Sequence, residues 1–379
     1  MGLPARLARP WLWFCVVAAL ALLCAGIAPV HAATAEVQGA GAAGACTGST
    51  APGSTPASSA PAKSQGTGVQ IPQDEAAHQD PDEWWYFVGH LSGVDAAGGQ
   101  HCYGFEQVTF QFLEQAPVPV YFGHFAITDL TRGTFQYDVR QDSYPVPTTS
   151  NGFSLHTGEW TMSGGSGKAK LHAALPEYTL DLQLQTTKPA ALHGDHGNIP
   201  YGPLGTSKYY SWTSLLAGGT IIDHGVPVKV TGLSWSDHQW GAFNFASGAG
   251  WDWFSVQLTN GKQYMLYFIR DKSGTIVQTL GTQVDPIGRT TNLDPSKLGD
   301  TATGSWTSPT TGITYGSGWQ VTVPGGHLTI TPDLVNQELD LLSTQGVAYW
   351  EGSVTVRGDI GGSSVAGVGY TEINPPEPS

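Results

Sequence analysis

The sequence predicts an all-β fold built from two tandem antiparallel β-barrels. Three observations support it: a composition rich in turn-forming and aromatic residues, a two-residue alternation of side chains, and an internal repeat. The 379 residues include 50 Gly, 25 Pro and 13 Trp, and only 12% are charged, against ~25% in an average domain. Glycine and proline favour turns, and aromatic side chains favour the half-buried surface of a sheet.

Short segments with a period of two residues, separated by Gly and Pro, predict the strands. The clearest are residues 103–112, 168–184, 229–235, 254–258, 264–270, 319–323, 327–330 and 353–356. No long helical stripe accompanies them, so we expect antiparallel strands joined by short turns.

The aromatic segments repeat within the chain. Residues 84–87 and the strand after them are matched by residues 251–254 and their following strand, and residues 209–212 are matched by 349–352. Each half therefore begins and ends with an aromatic hairpin. Strands matched in this way can close a sheet into a barrel around a cavity. A pair of β-sandwiches is the alternative.

The N-terminal residues have the pattern of an export signal. Arginines precede an apolar run over residues 11–27, and cleavage is expected after Ala32. Residues 1–32 are therefore predicted to be a signal peptide, and the protein periplasmic or extracellular. An uncleaved membrane anchor is the alternative, because the apolar run approaches the ~18 residues that can span a bilayer.

The rest of the chain divides into a tail and two folded halves. Residues 33–70 are rich in Ala, Gly, Ser, Thr and Pro, which predicts a disordered linker. The folded halves are expected at 71–241 and 242–379. Only Cys46 and Cys102 remain after the signal, and a disulfide between them would suit an oxidising compartment, although spacing alone does not decide it.

Charge and motif content exclude several classes of partner. A formal net charge of -14 argues against nucleic acid and anionic membranes, since both require a basic face. No stable protein partner, cofactor or metal ion is expected; residues 193–196 offer possible ligands, but so short a loop rarely completes a tetrahedral site. No Gly-x-Ser-x-Gly nucleophile motif is present.

Six motifs occur in order along the chain. They are Asp82-Glu83-Trp84-Trp85-Tyr86, Gly123-His124-Phe125-Ala126-Ile127-Thr128-Asp129, His193-Gly194, Tyr209-Tyr210-Ser211, Ser236-Asp237-His238-Gln239-Trp240-Gly241 and Gly250-Trp251-Asp252-Trp253-Phe254. The series resembles the carotenoid 1,2-hydratase/AttH-like family over about residues 71–373. The resemblance implies two lipocalin-like domains with a site near their junction, usually in an exported protein. Founding members hydrate the terminal double bond of acyclic carotenoids, relatives are labelled secreted hydrolases, and some fungal relatives assist cyclisation.

The chain departs from the family pattern at two places. Gln239 stands where the family usually has Glu, so a carboxylate is replaced by an amide. His238 and Trp240 match the functional His-x-Trp of carotenoid hydratases, whereas the strand with Tyr264 and Tyr267 lacks their Tyr-x-Asp.

Acids and bases beside indoles point to proton chemistry, because desolvation moves their pKa values toward neutrality. The candidate catalytic residues are Asp237 as proton donor, His238 as the base that activates water, Trp240 as a cation-stabilising wall and Asp252 as alternate acid. The candidate substrate-binding residues are Glu83, Trp84, Trp85, His124, Tyr210, Trp251 and Trp253.

A hydrophobic small molecule, isoprenoid or carotenoid-like, is the expected ligand. Hydration of its C=C bond needs a proton donor, cation stabilisation and a base. Asp237 and His238 can share a cavity only if the backbone bends there. On a regular strand they face opposite ways, and Glu83 or Asp252 becomes the preferred acid. A non-catalytic carrier of a lipid or pigment, and a secreted hydrolase, are the alternatives.

Overall fold

A computed structural model describes residues 68–113, 118–149, 151–243 and 250–376. This part of the chain is almost entirely strand, with three short 3₁₀ turns at Gln73–Glu75, Gly202–Leu204 and Pro295–Lys297, and no α-helix. The strands are β1 (Asp82–Val94), β2 (Gln100–Phe112), β3 (Val120–Asp129), β4 (Thr134–Ser143), β5 (Phe153–Thr157), β6 (Trp160–Gly165), β7 (Lys168–Ala174), β8 (Tyr178–Thr186), β9 (Ala191–Leu192), β10 (Asn198–Pro200), β11 (Gly205–Asp223), β12 (Val226–Phe243), β13 (Gly250–Leu258), β14 (Gln263–Arg270), β15 (Ile276–Val284), β16 (Thr290–Asn292), β17 (Gly299–Ala302), β18 (Ser305–Thr307), β19 (Thr314–Gly316), β20 (Trp319–Val323), β21 (Gly326–Pro332), β22 (Glu338–Leu341), β23 (Val347–Ile360) and β24 (Ser363–Asn374). The predicted all-β fold class is confirmed.

The first sheet is a nearly closed antiparallel barrel. Its order is β4-β3-β2-β1-β12-β11-β8-β7-β6-β5, with β9 and β10 added to β11. The terminal strands β4 and β5 approach each other, which brings the sheet close to closure. The long hairpin of β11 and β12 turns at His224 and Gly225, whose φ values are 50° and 82°. Two-residue turns with positive φ are favoured in hairpins because their twist matches that of the flanking strands.

The second sheet repeats the arrangement of the first. Its order is β16-β15-β14-β13-β24-β23-β21-β20-β17, with β22 beside β23. In both sheets the first hairpin lies next to the last one: β2-β1-β12-β11 in the first and β14-β13-β24-β23 in the second. These hairpins carry the matched aromatic segments of the sequence. The first sheet ends with β12 at Phe243, two residues after the predicted boundary at Gly241.

Apolar side chains form three main clusters. One fills the first barrel and includes Trp85, Phe105 and Trp240. A second includes Phe254 and Trp319 and belongs to the second sheet. The third lies between the two sheets, which we call the seam; it includes Tyr86, Tyr209, Trp235, Trp253, Met265 and Tyr370.

The predicted signal peptide and nearly all of the predicted linker lie outside the described residues. The last linker residues do not behave as a tether, because Val69 is buried in the first core and its N–H donates to the carbonyl of His196. Cys102 is buried and disulfide-bonded, while Cys46 lies outside the described part. No helix in the described ranges is long and apolar enough to cross a membrane.

Candidate functional site

Strand alternation separates the predicted acid from the predicted base. β1 and β12 pair in unbroken antiparallel register, with Trp85 opposite His238. Trp85 and Trp240 belong to the core of the first barrel, and Glu83 accepts a hydrogen bond from His238 there. Asp237 lies on the other face of β12, as a regular strand requires. The expectation that Asp237 and His238 share one cavity is therefore wrong, and Glu83 is the carboxylate beside His238.

Glu83 is a fully buried carboxylate with four hydrogen-bond donors. Its Oε1 contacts His238 Nε2 at 2.8 Å and His78 Nδ1 at 2.6 Å. Its Oε2 accepts the backbone N–H of His78 at 2.8 Å and the amide of Gln111 at 3.0 Å. Although burial opposes ionisation, the hydrogen bonds and charges of the two imidazoles lower the pKa of Glu83. It is therefore ionised at neutral pH.

The charge on Glu83 determines which ring nitrogens carry protons. An ionised carboxylate only accepts hydrogen bonds, so the His238 Nε2 that faces it must bear hydrogen. Burial lowers the pKa of His238 against the opposing effect of Glu83, so the ring is neutral and its unprotonated Nδ1 accepts a hydrogen bond from Tyr210. That Nδ1 lies 3.2 Å from the hydroxyl of Tyr210. His78 differs: hydrogen bonds to Asp74 and Glu83 outweigh burial and raise its pKa to about 9.

A small cavity lies beside His238 inside the barrel. Its volume of about 10 Å³ holds about one water molecule. Its wall includes Glu75, Trp85, Phe87, Tyr210, Trp212 and His238. The imidazole of His238 therefore lies beside a space of the size of a water molecule.

Indole rings enclose the imidazoles on both sides. Trp85 stacks on His238 with a centroid distance of 4.6 Å, and Trp240 lies 4.6 Å from the same ring. Trp240 also stacks on His78, at 4.2 Å and an interplanar angle of 3°. His238 is only 2% exposed, so its proton transfers are shielded from bulk water.

The three groups around Glu83 also have the spacing of a metal-ligand set. Within the described ranges, the ligand atoms of His78, Glu83 and His238 lie within 4.8 Å of one another. Both imidazole-to-carboxylate distances are those of hydrogen bonds, and each nitrogen would have to release its proton before it could bind a metal ion. The donors already satisfy the carboxylate, so we interpret the group as a hydrogen-bond network.

Asp237 lies in the seam rather than in the barrel. Its carboxylate accepts hydrogen bonds from Tyr209 at 2.6 Å, from Trp235 Nε1 at 2.7 Å and from Ser211. Burial raises the pKa of Asp237 to about 6 against these three donors. Trp253 of the second sheet donates to the Tyr209 hydroxyl at 3.0 Å. Asp237 and Trp253 thus connect the sheets and do not contact the cavity.

Three glutamates, which we call the seam glutamates, lie nearby: Glu106 and Glu351, which are buried, and Glu372, which is half-buried. Glu351 and Glu372 are directly opposed on β23 and β24. Tyr86 donates to Glu351 at 2.7 Å, and Tyr349 donates to Glu106 at 3.3 Å. Burial raises the pKa values of Glu106 to about 8 and of Glu372 to about 7. One oxygen each of Glu106 and Glu351 has no hydrogen-bond partner among the described residues.

Three other predicted binding residues also contact the seam. His124 hydrogen-bonds the Tyr349 hydroxyl through Nδ1 at 2.7 Å, and burial lowers its pKa to about 4. Trp251 donates to Glu372 at 3.0 Å. Trp84 packs edge-on against Phe243. None of the three contributes to the wall of the cavity beside His238.

Asp252 faces the interior of the second sheet. Its Oδ2 receives Arg270 Nη2 at 2.7 Å and Nε at 3.0 Å, and Arg270 also contacts Asp300 at 2.7 Å. Burial and the neighbouring Asp300 raise the pKa of Asp252 to about 8, against the effect of Arg270. Asp252 is thus paired within its own half, remote in the fold from His238.

Sequence reasoning missed Glu75 and His78, which precede β1 in a segment without periodicity. The nearest signal was their position five to eight residues before Glu83, and it belongs to no general motif. Gln239 is on the seam face, where its amide donates to Tyr201 at 2.8 Å. The family's carboxylate at this position would not enter the cavity either.

Comparison with known proteins places these features in a family. The family model described as AttH-like matches residues 62–375. The AttH protein of Nitrosomonas europaea is 29% identical, with a TM-score of 0.73 over 82% of this chain and 97% of that one. Kievitone hydratase of Nectria haematococca is 19% identical, with a TM-score of 0.64 over 83% and 97%. CghA, solved with Sch210972, is 14% identical, with a TM-score of 0.51 over 78% and 89%. The last two show a shared fold, and no curated protein matches significantly.

Proposed function

Because the chain belongs to the AttH-like family, we propose that it is an exported hydratase-type enzyme, which adds water to a C=C bond of an apolar, isoprenoid-like substrate. The observation that carries the proposal is the neutral, carboxylate-oriented His238 beside a water-sized cavity. An imidazole held by a carboxylate is a recurrent arrangement for a general base. The kievitone hydratase fold supports the choice of reaction, since that relative is named for a hydration.

The geometry suits water as the nucleophile. A proton donor in the wall transfers a proton to the less substituted alkene carbon, and the π electrons form the new C–H bond. Water attacks the resulting tertiary cation, and its proton passes to Nδ1 of His238, beside the Tyr210 hydroxyl. The Glu83 carboxylate then stabilises the imidazolium. The product is a tertiary alcohol.

Aromatic faces in the wall would stabilise the cation. Trp85 and Trp212 both line the cavity, and each indole face contributes roughly 0.5 to 2 kcal/mol to a nearby cation, most in a dry site. Trp240 lies behind the imidazoles, so its role is to shield His78 and His238 rather than to contact the substrate.

The cavity also bears on the carrier alternative. A ligand site typically encloses ~300 Å³ or more, whereas this space holds one water molecule, so it is too small for a carried ligand and for an alkene substrate alike. A carrier has no use for a buried acid-base chain at its wall, since such a chain is costly to desolvate. The alkene must therefore enter by displacing side chains of the wall, and this displacement is part of the proposal.

The test is incorporation of labelled water. Purified protein is incubated in ¹⁸O-labelled water with two acyclic probes that end in an isopropylidene group, geranylacetone and squalene. We expect a tertiary alcohol that carries the label. His238→Asn is expected to slow its formation by roughly 10²- to 10⁴-fold, with a melting temperature within a few degrees of wild type.

The control is Glu159→Gln, which removes an exposed carboxylate and is expected to leave the rate unchanged. Equal rates for wild type and His238→Asn would contradict the assigned base. Recovery of a bound apolar molecule with no labelled product from either probe would favour the carrier.

A further inference from the structure

The proposed reaction needs a proton donor, and the acids predicted from the sequence cannot supply it. Asp237 lies in the seam, and Asp252 is bound to Arg270. Glu83 contacts His238 but is ionised and accepts four N–H groups. The donor must therefore come from another residue of the cavity wall.

Glu75 is a buried carboxyl group in that wall. It ends the 3₁₀ turn Gln73–Glu75, is 1% exposed, and lines the same cavity as His238 and Tyr210. Burial raises the pKa of Glu75, against hydrogen bonds from Ser166, Gly167 and Trp212. A buried carboxyl group whose pKa is raised gives up its proton nearer to neutral pH than an ordinary one, and can serve as a general acid.

The turn between β6 and β7 holds this carboxyl in place. The backbone N–H groups of Ser166 and Gly167 donate to its two oxygens at 2.5 and 3.2 Å. Both residues have positive φ, 54° and 72°, and their successive N–H groups converge on the carboxyl group; we call this pair of donors the nest. The nest orients the acid and stabilises the carboxylate that remains after proton transfer.

We propose that Glu75 is the proton donor of this site, an assignment that rests on the proposed function. Its O–H bond breaks as the alkene carbon takes the proton, and the electron pair of that bond stays on the carboxylate. The incoming water later loses one proton to His238. Exchange with solvent then removes that proton from the imidazolium and returns a proton to Glu75. Acid and base thus act from different parts of one wall.

The titratable groups around Glu75 determine whether a pH-dependent change in rate can be assigned to it. The titratable groups near it are Asp74 in the same turn, Lys168 of β7, Tyr210 of β11 and His238 of β12. Tyr210 keeps its proton because burial raises its pKa well above the usual value. A loss of activity at high pH that disappears on substitution of Glu75 therefore reports Glu75 itself.

The experiment compares Glu75→Gln and Glu75→Asp in the labelled-water assay with geranylacetone, across a pH series. Glu75→Gln keeps an acceptor for the nest but has no acidic proton, so we expect a loss of 10²-fold or more. The alkaline limb of the rate profile should disappear with it. Glu75→Asp keeps an acid that lies one methylene further away, and should retain at least ten times the rate of Glu75→Gln.

Separate controls test whether each variant folds and whether His238 acts as the base. Melting temperatures identify any variant that is unfolded. If Glu75→Gln does not fold, Glu75→Asp decides the outcome: its rate should be lower than that of the wild type, and its loss of activity at alkaline pH should occur at a different pH. The assignment of Glu75 would be overturned by a folded variant of either kind that kept the wild-type rate and the wild-type loss of activity at alkaline pH. If His238→Asn were inactive at the same time, the proposed function would stand and only the donor would be wrong. Absence of labelled product from the wild type would instead count against the proposed function.

Discussion

We expect the free energy of unfolding to fall as the pH rises from about 5 to about 9, because the seam glutamates hold protons in the folded state. Glu351 and Glu372 are opposed across two strands, and like charges in such a pair repel. One oxygen each of Glu106 and Glu351 has no donor, in the part of the chain that the structure describes, to balance a negative charge. Protonation is therefore the state in which the seam is stable.

The pKa values set the sign and the size of this effect. The pKa of Glu106 is raised from 4.5 to about 8, and that of Glu372 from 4.5 to about 7. Stabilisation is thus complete below pH 4.5 and is lost as the pH rises through the folded-state values. At about 1.4 kcal/mol for each pKa unit, one glutamate accounts for about 3 to 5 kcal/mol. This is a large part of the 5–15 kcal/mol by which domains are stable.

Urea unfolding at about pH 5, 7 and 9 measures the effect. Glu106→Gln keeps the shape of the side chain and removes one titration, so its stability should change less with pH than that of the wild type. Glu159→Gln is the exposed control and should follow the wild type. Asp237, Asp252 and His78 add to the trend. His124 and His193 oppose it below the unfolded-state pKa of 6.5, and Lys188 opposes it above pH 8. All of these groups are common to the proteins compared. Identical pH dependence in Glu106→Gln and wild type would refute the reasoning.

Two further predictions concern packing. Lys188 Nζ donates to Gln263 and to the backbone carbonyls of Gly261 and Asp285, which lie in turns of the second half. Lys188→Met leaves these acceptors unpaired and should lower stability by about 1 to 3 kcal/mol for each buried one. An unchanged urea midpoint would argue against the contact. Gly167→Ala would place a methyl group 2.3 Å from Thr186 Cγ2 at φ +72°. It should be more destabilising than Gly361→Ala, which shares the positive φ but has open space; equal losses would show that only backbone strain matters.

The strands, and the faces on which their side chains lie, could be predicted from the sequence. Period-two alternation is a local property, and the rule that puts His238 and Trp240 on one face and Asp237 on the other follows from it. The preference for Asp237 as acid failed because it required a bend at a point where the β1 and β12 ladder is regular.

The partners of the site could not be predicted in the same way. His78 and Glu75 lie in an irregular segment, where spacing does not determine direction. The pairing of Asp252 with Arg270 and Asp300 depends on how the strands of the second sheet are arranged. These contacts are set by tertiary structure, which no short window of sequence contains.

The hydrogen bonds across the seam make the two repeats mutually dependent. From the second sheet, Trp253 connects through Tyr209 to Asp237, and Thr282 connects through His193 to Ser211 and the same carboxylate. Either repeat, expressed alone, would expose these polar groups and the surrounding aromatic surface to solvent. Although the fold looks like a duplicated unit, we expect neither copy to fold as an autonomous module, and a chimera that exchanges one half must carry its seam residues with it.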